Sequence, residues 1–144
     1  MKCQKNGFCV VRDDITVLED AIRNAEFLIF STPTRWGNIS ALMLKCFERL
    51  FGFLIQEVRQ GFPKKMNANG KKAILVTSCS TPFPFNIIFN QSSACFSRLK
   101  EICNYSGIKV IKTIVLPGTL EMQEVPQKYF EKAEKVGKAY FSCL

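Results

Sequence analysis

The segment Ser31-Thr32-Pro33-Thr34-Arg35-Trp36-Gly37-Asn38-Ile39-Ser40 gathers the side chains best suited to holding a ligand. Trp36 offers a flat apolar face, Asn38 can donate and accept hydrogen bonds, and Pro33 and Gly37 shape the backbone around them. That set suits a planar ring with polar edges. The same residues also suit a tight turn with a buried Trp, and composition alone does not choose between the two. The segment follows an apolar run, Phe27-Leu28-Ile29-Phe30, and precedes the helix-like Ala41-Leu42-Met43-Leu44-Lys45-Cys46-Phe47. It therefore reads as a strand-to-helix loop, the place where open parallel sheets take their ligands.

Other chemistry is excluded by what the chain lacks. It contains no histidine, so a histidine triad, a histidine-ligated metal and imidazole acid–base catalysis are ruled out. Of its seven cysteines, Cys46, Cys95, Cys103 and Cys143 fall among apolar residues in helix-like segments. Buried free thiols in a reducing compartment explain them better than disulfides, and a cytoplasmic protein is expected. No apolar segment approaches the roughly 20 residues of a membrane span, and the amino terminus does not read as a signal peptide, so no membrane partner is expected. The net charge of +8 invites a nucleic-acid reading. Yet the lysines are scattered and no aromatics interleave them. The densest group, Lys64-Lys65 with Lys71-Lys72, brackets a polar loop at Asn67-Ala68-Asn69-Gly70; a solvated surface is the simpler account, and attraction for an anionic dinucleotide or a membrane surface is the alternative.

The elements around the loop follow from periodicity. Asp13 or Asp14 can cap a helix over Ile15 to Asn24, with Ile15, Leu18, Ala21, Ile22 and Ala25 as its apolar stripe. A strand covers Glu26 to Ser31. Asn38 or Ser40 caps a second helix to about Phe53. A polar connection leads to a second strand, Lys72 to Ser78, and then to the proline-rich loop Cys79-Ser80-Thr81-Pro82-Phe83-Pro84-Phe85-Asn86. A helix from about Ile88 to Tyr105 ends at Gly107. Lys109 to Leu116 forms a third strand, broken by Pro117-Gly118. Val125-Pro126 introduces a last helix to about Phe141, with Tyr129, Phe130, Ala133, Val136, Gly137 and Tyr140 on one side. Strand alternating with helix predicts one α/β domain over residues 1–144, a parallel sheet with helices on both faces. Right-handed crossovers then bring every strand-to-helix loop to one sheet edge.

With these residues placed, the chain resembles the flavodoxin-like NADPH-dependent FMN reductases and iron–sulfur flavoproteins. Thr32-Pro33-Thr34-Arg35-Trp36-Gly37-Asn38 is similar to the flavin-ring loop of that superfamily's quinone reductases. Cys3, Cys9 and Asp13-Asp14 are similar to the second half of the cysteine motif of the iron–sulfur flavoproteins. The resemblance implies an FMN cofactor, NADPH or NADH as electron donor, and a small-molecule electron acceptor. It implies that Thr32, Pro33, Thr34, Arg35, Trp36, Gly37 and Asn38 wrap one side of the ring, and that Ser78, Cys79, Ser80 and Thr81 line the other. Phe83, Pro84 and Phe85 stand where a wall or lid over the substrate face would lie; core or dimer packing suits them equally. The quinone-reductase branch has a glycine-rich stretch there, and this chain departs from it. No catalytic side chain and no metal are implied, because the flavin carries the chemistry.

The same comparison implies a flavodoxin-like three-layer α/β/α fold lacking its first βαβ unit, and with it the phosphate-cradling loop. Two cysteines cannot complete an iron–sulfur site within one chain, and unliganded thiols are expected at Cys3 and Cys9. An uncovered edge on Glu26–Ser31 would call for a partner, so a homo-oligomer is expected. Two functions follow: an FMN-binding NAD(P)H-dependent oxidoreductase, or a non-catalytic flavodoxin-like remnant or interaction module that binds no FMN by itself.

Overall fold

Asp13 sets the entry to the first helix. The computed structural model describes residues 11, 13–58 and 60–141; the expectations for Cys3, Cys9 and Cys143 lie outside them. Helix α1 spans Ile15–Asn24. An Asp13 carboxylate oxygen accepts from the Ile15 amide at 3.2 Å, and both its oxygens accept from Arg49 Nη2 at 2.8 Å. Arg49 belongs to α2, Ala41–Leu54, so this contact ties the two helices together. The Arg49 guanidinium, with the Ile15 amide, holds the Asp13 carboxyl below its ordinary value.

Three strands make the central sheet. β1 is Phe27–Pro33, two residues longer at its end than the expected strand over Glu26 to Ser31. A short antiparallel pair follows α2: β2, Ile55–Gln56, against β3, Lys64–Lys65. β4 is Lys72–Cys79 and β5 is Lys109–Pro117. β1 pairs parallel with β4 from Phe27↔Lys72 to Pro33↔Ser78. β5 pairs parallel on the other side, from Lys72↔Lys109 to Cys79↔Pro117, with one register shift near Ala73. The sheet order is thus β1-β4-β5. The single-turn α3, Phe85–Ile88, and then α4, Gln91–Ser106, connect β4 to β5. Left-handed Asn90 separates the two, where the sequence predicts one helix from about Ile88. α5, Gln127–Phe141, closes the described chain.

The core lies on one face of the sheet. Ala73 and Leu75 of β4 face Leu50, Phe53 and Leu54 of α2 and Cys95, Leu99 and Cys103 of α4 in a single buried cluster. Ile74, one position out of phase, is buried on the other face. Burial pushes the Cys103 thiol up to about 12. At neutral pH it is therefore fully protonated, and a thiol reagent such as dithionitrobenzoate is expected to spare Cys103 until the protein unfolds. Rapid modification of Cys103 in the native state, located by mass spectrometry, would contradict this packing.

β1 leaves one backbone edge without a strand among the described residues. Glu26 and Thr34 bond to β4, through Lys72 N–H to Glu26 C=O and Thr34 N–H to Ser78 C=O. By strand parity Phe27, Ile29, Ser31 and Pro33 turn their backbone groups the other way. Pro33, which has no N–H, therefore removes no bond from the β1–β4 ladder.

Candidate functional site

The three parallel strands end together, and the loops that follow them meet at one sheet edge. Backbone hydrogen bonds join them. Thr34 N–H donates to Ser78 C=O at 2.8 Å, Gly118 N–H to Thr81 C=O at 3.1 Å, and Thr119 N–H to Cys79 C=O at 3.1 Å. The third loop, after Pro117, is thus bonded directly to the second.

Thr77, fully buried near the end of β4, organises the first loop. Its Oγ1 donates to Thr32 C=O at 2.8 Å and lies 2.9 Å from Thr34 Oγ1 and 3.6 Å from Cys95 Sγ. Thr32 forms a second tie. Its Oγ1 donates to Ser40 Oγ at 3.0 Å and accepts from Ser40 N–H, while Ser40 Oγ caps α2 by accepting from Met43 N–H. Of the two candidate caps, Ser40 is the one in place. Replacing Thr77 with Val keeps the shape but removes the hydroxyl that bonds Thr32 C=O and Thr34 Oγ1. We expect a loss of about 1–2 kcal/mol in chemical denaturation, with m unchanged.

Between these anchors the chain makes a two-residue turn. Arg35 and Asn38 exchange N–H···O=C bonds of 2.9 Å in both directions. Trp36 and Gly37 sit at its tip with φ of 52° and 70°, the geometry of a type I′ turn. Gly37 meets this requirement without strain; Trp36 pays for it and stands fully exposed. The buried-Trp alternative is therefore excluded. Asn38 Oδ1 accepts from Ile39 N–H at 2.8 Å, which leaves its Nδ2 donors free of that bond.

On the second loop Ser78 is half-buried and Ser80 exposed. Cys79 is buried, its Sγ 3.5 Å from Gln91 Oε1, and Thr81 Oγ1 donates to the same oxygen at 2.8 Å. Gln91 opens α4 and so fixes the second loop. Thr32, Thr77 and Cys79 face inward and hold the frame. Arg35, Trp36, Asn38 and Ser80 face water. Beside the turn, Gly37 and Asn38 line a shallow polar depression of about 590 Å³ with Asn90, Ala94 and Ser97 and with the paired Arg98 and Glu101 of α4. An apolar groove of about 350 Å³ between α2 and α4 takes no residue from these loops. Among the described residues no His/Cys/Asp/Glu cluster of metal-binding size exists. Sequence reading did not single out Thr77 and Gln91. Their signal is a hydroxyl two residues before the end of β4 and an amide at the first position of α4.

Residues 5–139 match the profile of a protein family described by its flavodoxin-like fold. No curated protein sequence matches the chain. Solved structures are similar in fold. A Klebsiella pneumoniae protein described as a quinone reductase superposes with a TM-score of 0.68 at 18 % identity, over 89 % of this chain and 55 % of its own. An NAD(P)H:quinone oxidoreductase from Methanothermobacter marburgensis gives 0.71 at 18 %, over 87 % of this chain and 64 % of its own. An FMN-dependent NADH-azoreductase from Bacillus anthracis, solved with FMN, gives 0.65 at 15 %, over 96 % and 70 %. This chain thus spans little more than half the length of the first of them.

Proposed function

Because the chain belongs to this family of flavodoxin-like fold, we propose that it is an FMN-dependent NAD(P)H oxidoreductase whose flavin ring sits between the first and second loops. The observation that carries the reading is the rigid Arg35–Asn38 turn, which presents Trp36 and Asn38 to water at the sheet edge beside Ser80. The similar structures described as quinone reductases and an FMN-dependent azoreductase support the same class. The chemistry FMN supplies when bound is acceptance of a hydride from NADH or NADPH and delivery of electrons to a small-molecule acceptor.

The chain's own residues divide the work of binding. Asn38 Nδ2 and the Ser80 hydroxyl offer polar contacts to the ring's edge. Trp36 covers ring surface against water, and the Arg35 guanidinium offsets negative charge. Thr32, Thr77 and Gln91 hold these groups in place without meeting the ligand. The residues present fit the ring. Its phosphate finds no glycine-rich loop leading into a helix start after β1, β4 or β5. That observation favours the second reading, a flavodoxin-like module that binds no FMN by itself.

One titration separates the two. FMN binding should quench the emission of Trp36, the single tryptophan, and leave flavin absorbance on the protein after gel filtration. NADPH or NADH should then bleach that absorbance. Unchanged Trp36 emission, with colourless protein, would assign the chain to the second reading.

A further inference from the structure

Lysines that lie apart in the sequence meet on the β5 side of the sheet. Lys112 is exposed on β5, and Lys128, Lys132 and Lys135 follow one another along α5 at i, i+4 and i+7, on one helix face. These four line a depression of about 420 Å³ together with Glu131 and Tyr140. A second depression, of about 360 Å³, takes Lys100 of α4 with Thr113, Lys112 and Lys132. Lys112 and Lys132 line both, so the two depressions form one continuous groove.

The fold leaves the charge of this groove standing. Among the described residues the ion pairs are Arg49–Asp13, Arg98–Glu101 and Lys138–Glu134, and none of them takes one of the five lysines. Lys128 lies over the Tyr129 ring at 5.2 Å, a contact that keeps its charge. Glu131 is the one carboxylate that lines either depression. Ammonium groups gathered from three elements around one recess repel each other, and a ligand with several negative charges relieves that repulsion. Phosphoryl oxygens suit such a set, because each group accepts from several donors and Lys meets it as a mobile point charge. A recess walled by a strand and two helices favours a compact ligand over a flat surface. Tyr140 adds a ring beside the cations, against which a flat base can lie.

We infer that this groove binds a compact ligand with two or more phosphoryl groups, either a nucleoside polyphosphate or an inorganic polyphosphate. Lys112 stands five residues before Pro117, about 16 Å by the strand rise from the loops at the sheet edge. The groove is therefore separate from the proposed flavin site and independent of flavin occupancy. Scattered lysines suggest a solvated surface when read along the chain, and only the fold sets five of them around one recess.

Calorimetric titration of flavin-free protein with inorganic tripolyphosphate tests the site, at about 0.15 M salt to screen diffuse attraction. Saturable one-to-one binding is expected, with orthophosphate weaker by about tenfold or more. Lys112→Gln/Lys132→Gln should lower the affinity about tenfold or more, whereas Lys64→Gln/Lys65→Gln, which removes equal charge from the β2–β3 pair, should change it less than about twofold. Far-ultraviolet circular dichroism checks that the variants are folded. Should the first not fold, Lys128→Gln/Lys135→Gln replaces it with the same loss expected. Tighter binding of ATP than of tripolyphosphate, reduced by Tyr140→Ala, would assign the nucleoside form; equal affinity would assign the inorganic chain. No heat at millimolar tripolyphosphate would overturn the inference, as would equal losses in the two lysine pairs. An oligothymidylate that binds and resists displacement by tripolyphosphate would give the groove to a nucleic-acid strand instead, and would overturn it too.

Discussion

Phe53→Ala is expected to remove about 3–5 kcal/mol of stability, read as a lowered denaturation midpoint. Phe53 is 1 % exposed and among the largest of the fully buried side chains. Its ring fills the space between α1, α2 and the connection before β4, with the Arg23 guanidinium 5.2 Å from its centroid. Its carbonyl accepts from Asn67 Nδ2 at 2.8 Å, and Asn67 Oδ1 accepts from Arg23 Nη1 at 3.0 Å. The Ala variant keeps the carbonyl and loses the ring. A cost below about 1 kcal/mol would mean that the Arg23–Asn67 bracket, and not the ring, holds this corner.

Gly107→Ala is expected to cost about 2–3 kcal/mol. Gly107 ends α4 with φ of 76°, in the left-handed region. Its carbonyl accepts from Gly70 N–H at 3.0 Å, which pins the turn before β4 against the turn before β5. A Cβ there would press on Asn69 and lie 2.8 Å from Lys65 Cδ. Both are polar side chains that can swing aside, so the backbone strain sets the floor of the penalty. Gly137 provides the control: a Cβ there meets nothing within 4 Å, and Gly137→Ala within α5 should stabilise by up to about 1 kcal/mol. Equal effects at the two glycines would show that sterics and φ do not govern Gly107.

The contrast between these sites reflects what the sequence could show. Gly107 was legible because a glycine after a long amphipathic stretch marks a left-handed helix end. The three sheet strands were legible as well, since each is an apolar run bounded by turn residues. The β2–β3 pair was not. Two-residue strands carry no period, and Lys64-Lys65 has none of the β-branched or aromatic character that marks a strand.

The candidate site divides in the same way. Local composition read Thr32–Asn38 as a loop at a sheet edge; the structure keeps Thr32 and Pro33 in β1 and starts the loop at Thr34. Composition did not reveal that Trp36 takes a left-handed φ. Type I′ turns favour Asn-Gly, and a Trp-Gly pair gives no such signal. Nor did it reveal Thr77 as the hub beneath the turn, because its three contacts come from residues 18 to 45 positions away. Long-range pairing of this kind leaves no local trace. The uncharged stretch from Ala73 to Ser97 was visible throughout, but only the fold separates the buried side chains of β4 from the exposed Phe83, Phe85, Ile87, Ile88 and Phe89.

The last helix has a consequence of its own. The aromatic stripe of α5 would suggest a broad buried face, yet Val136 is the only buried residue in the helix among those described. Burial of one Val is worth about 1.5–3 kcal/mol, far less than the several buried side chains that fasten α2 or α4. α5 therefore opens in sub-global fluctuations that leave the rest of the sheet intact. Its amides should exchange with deuterium earliest among the helices of ten or more residues. Limited proteolysis should first cut on the approach to α5, at the exposed residues between Leu120 and Gln127.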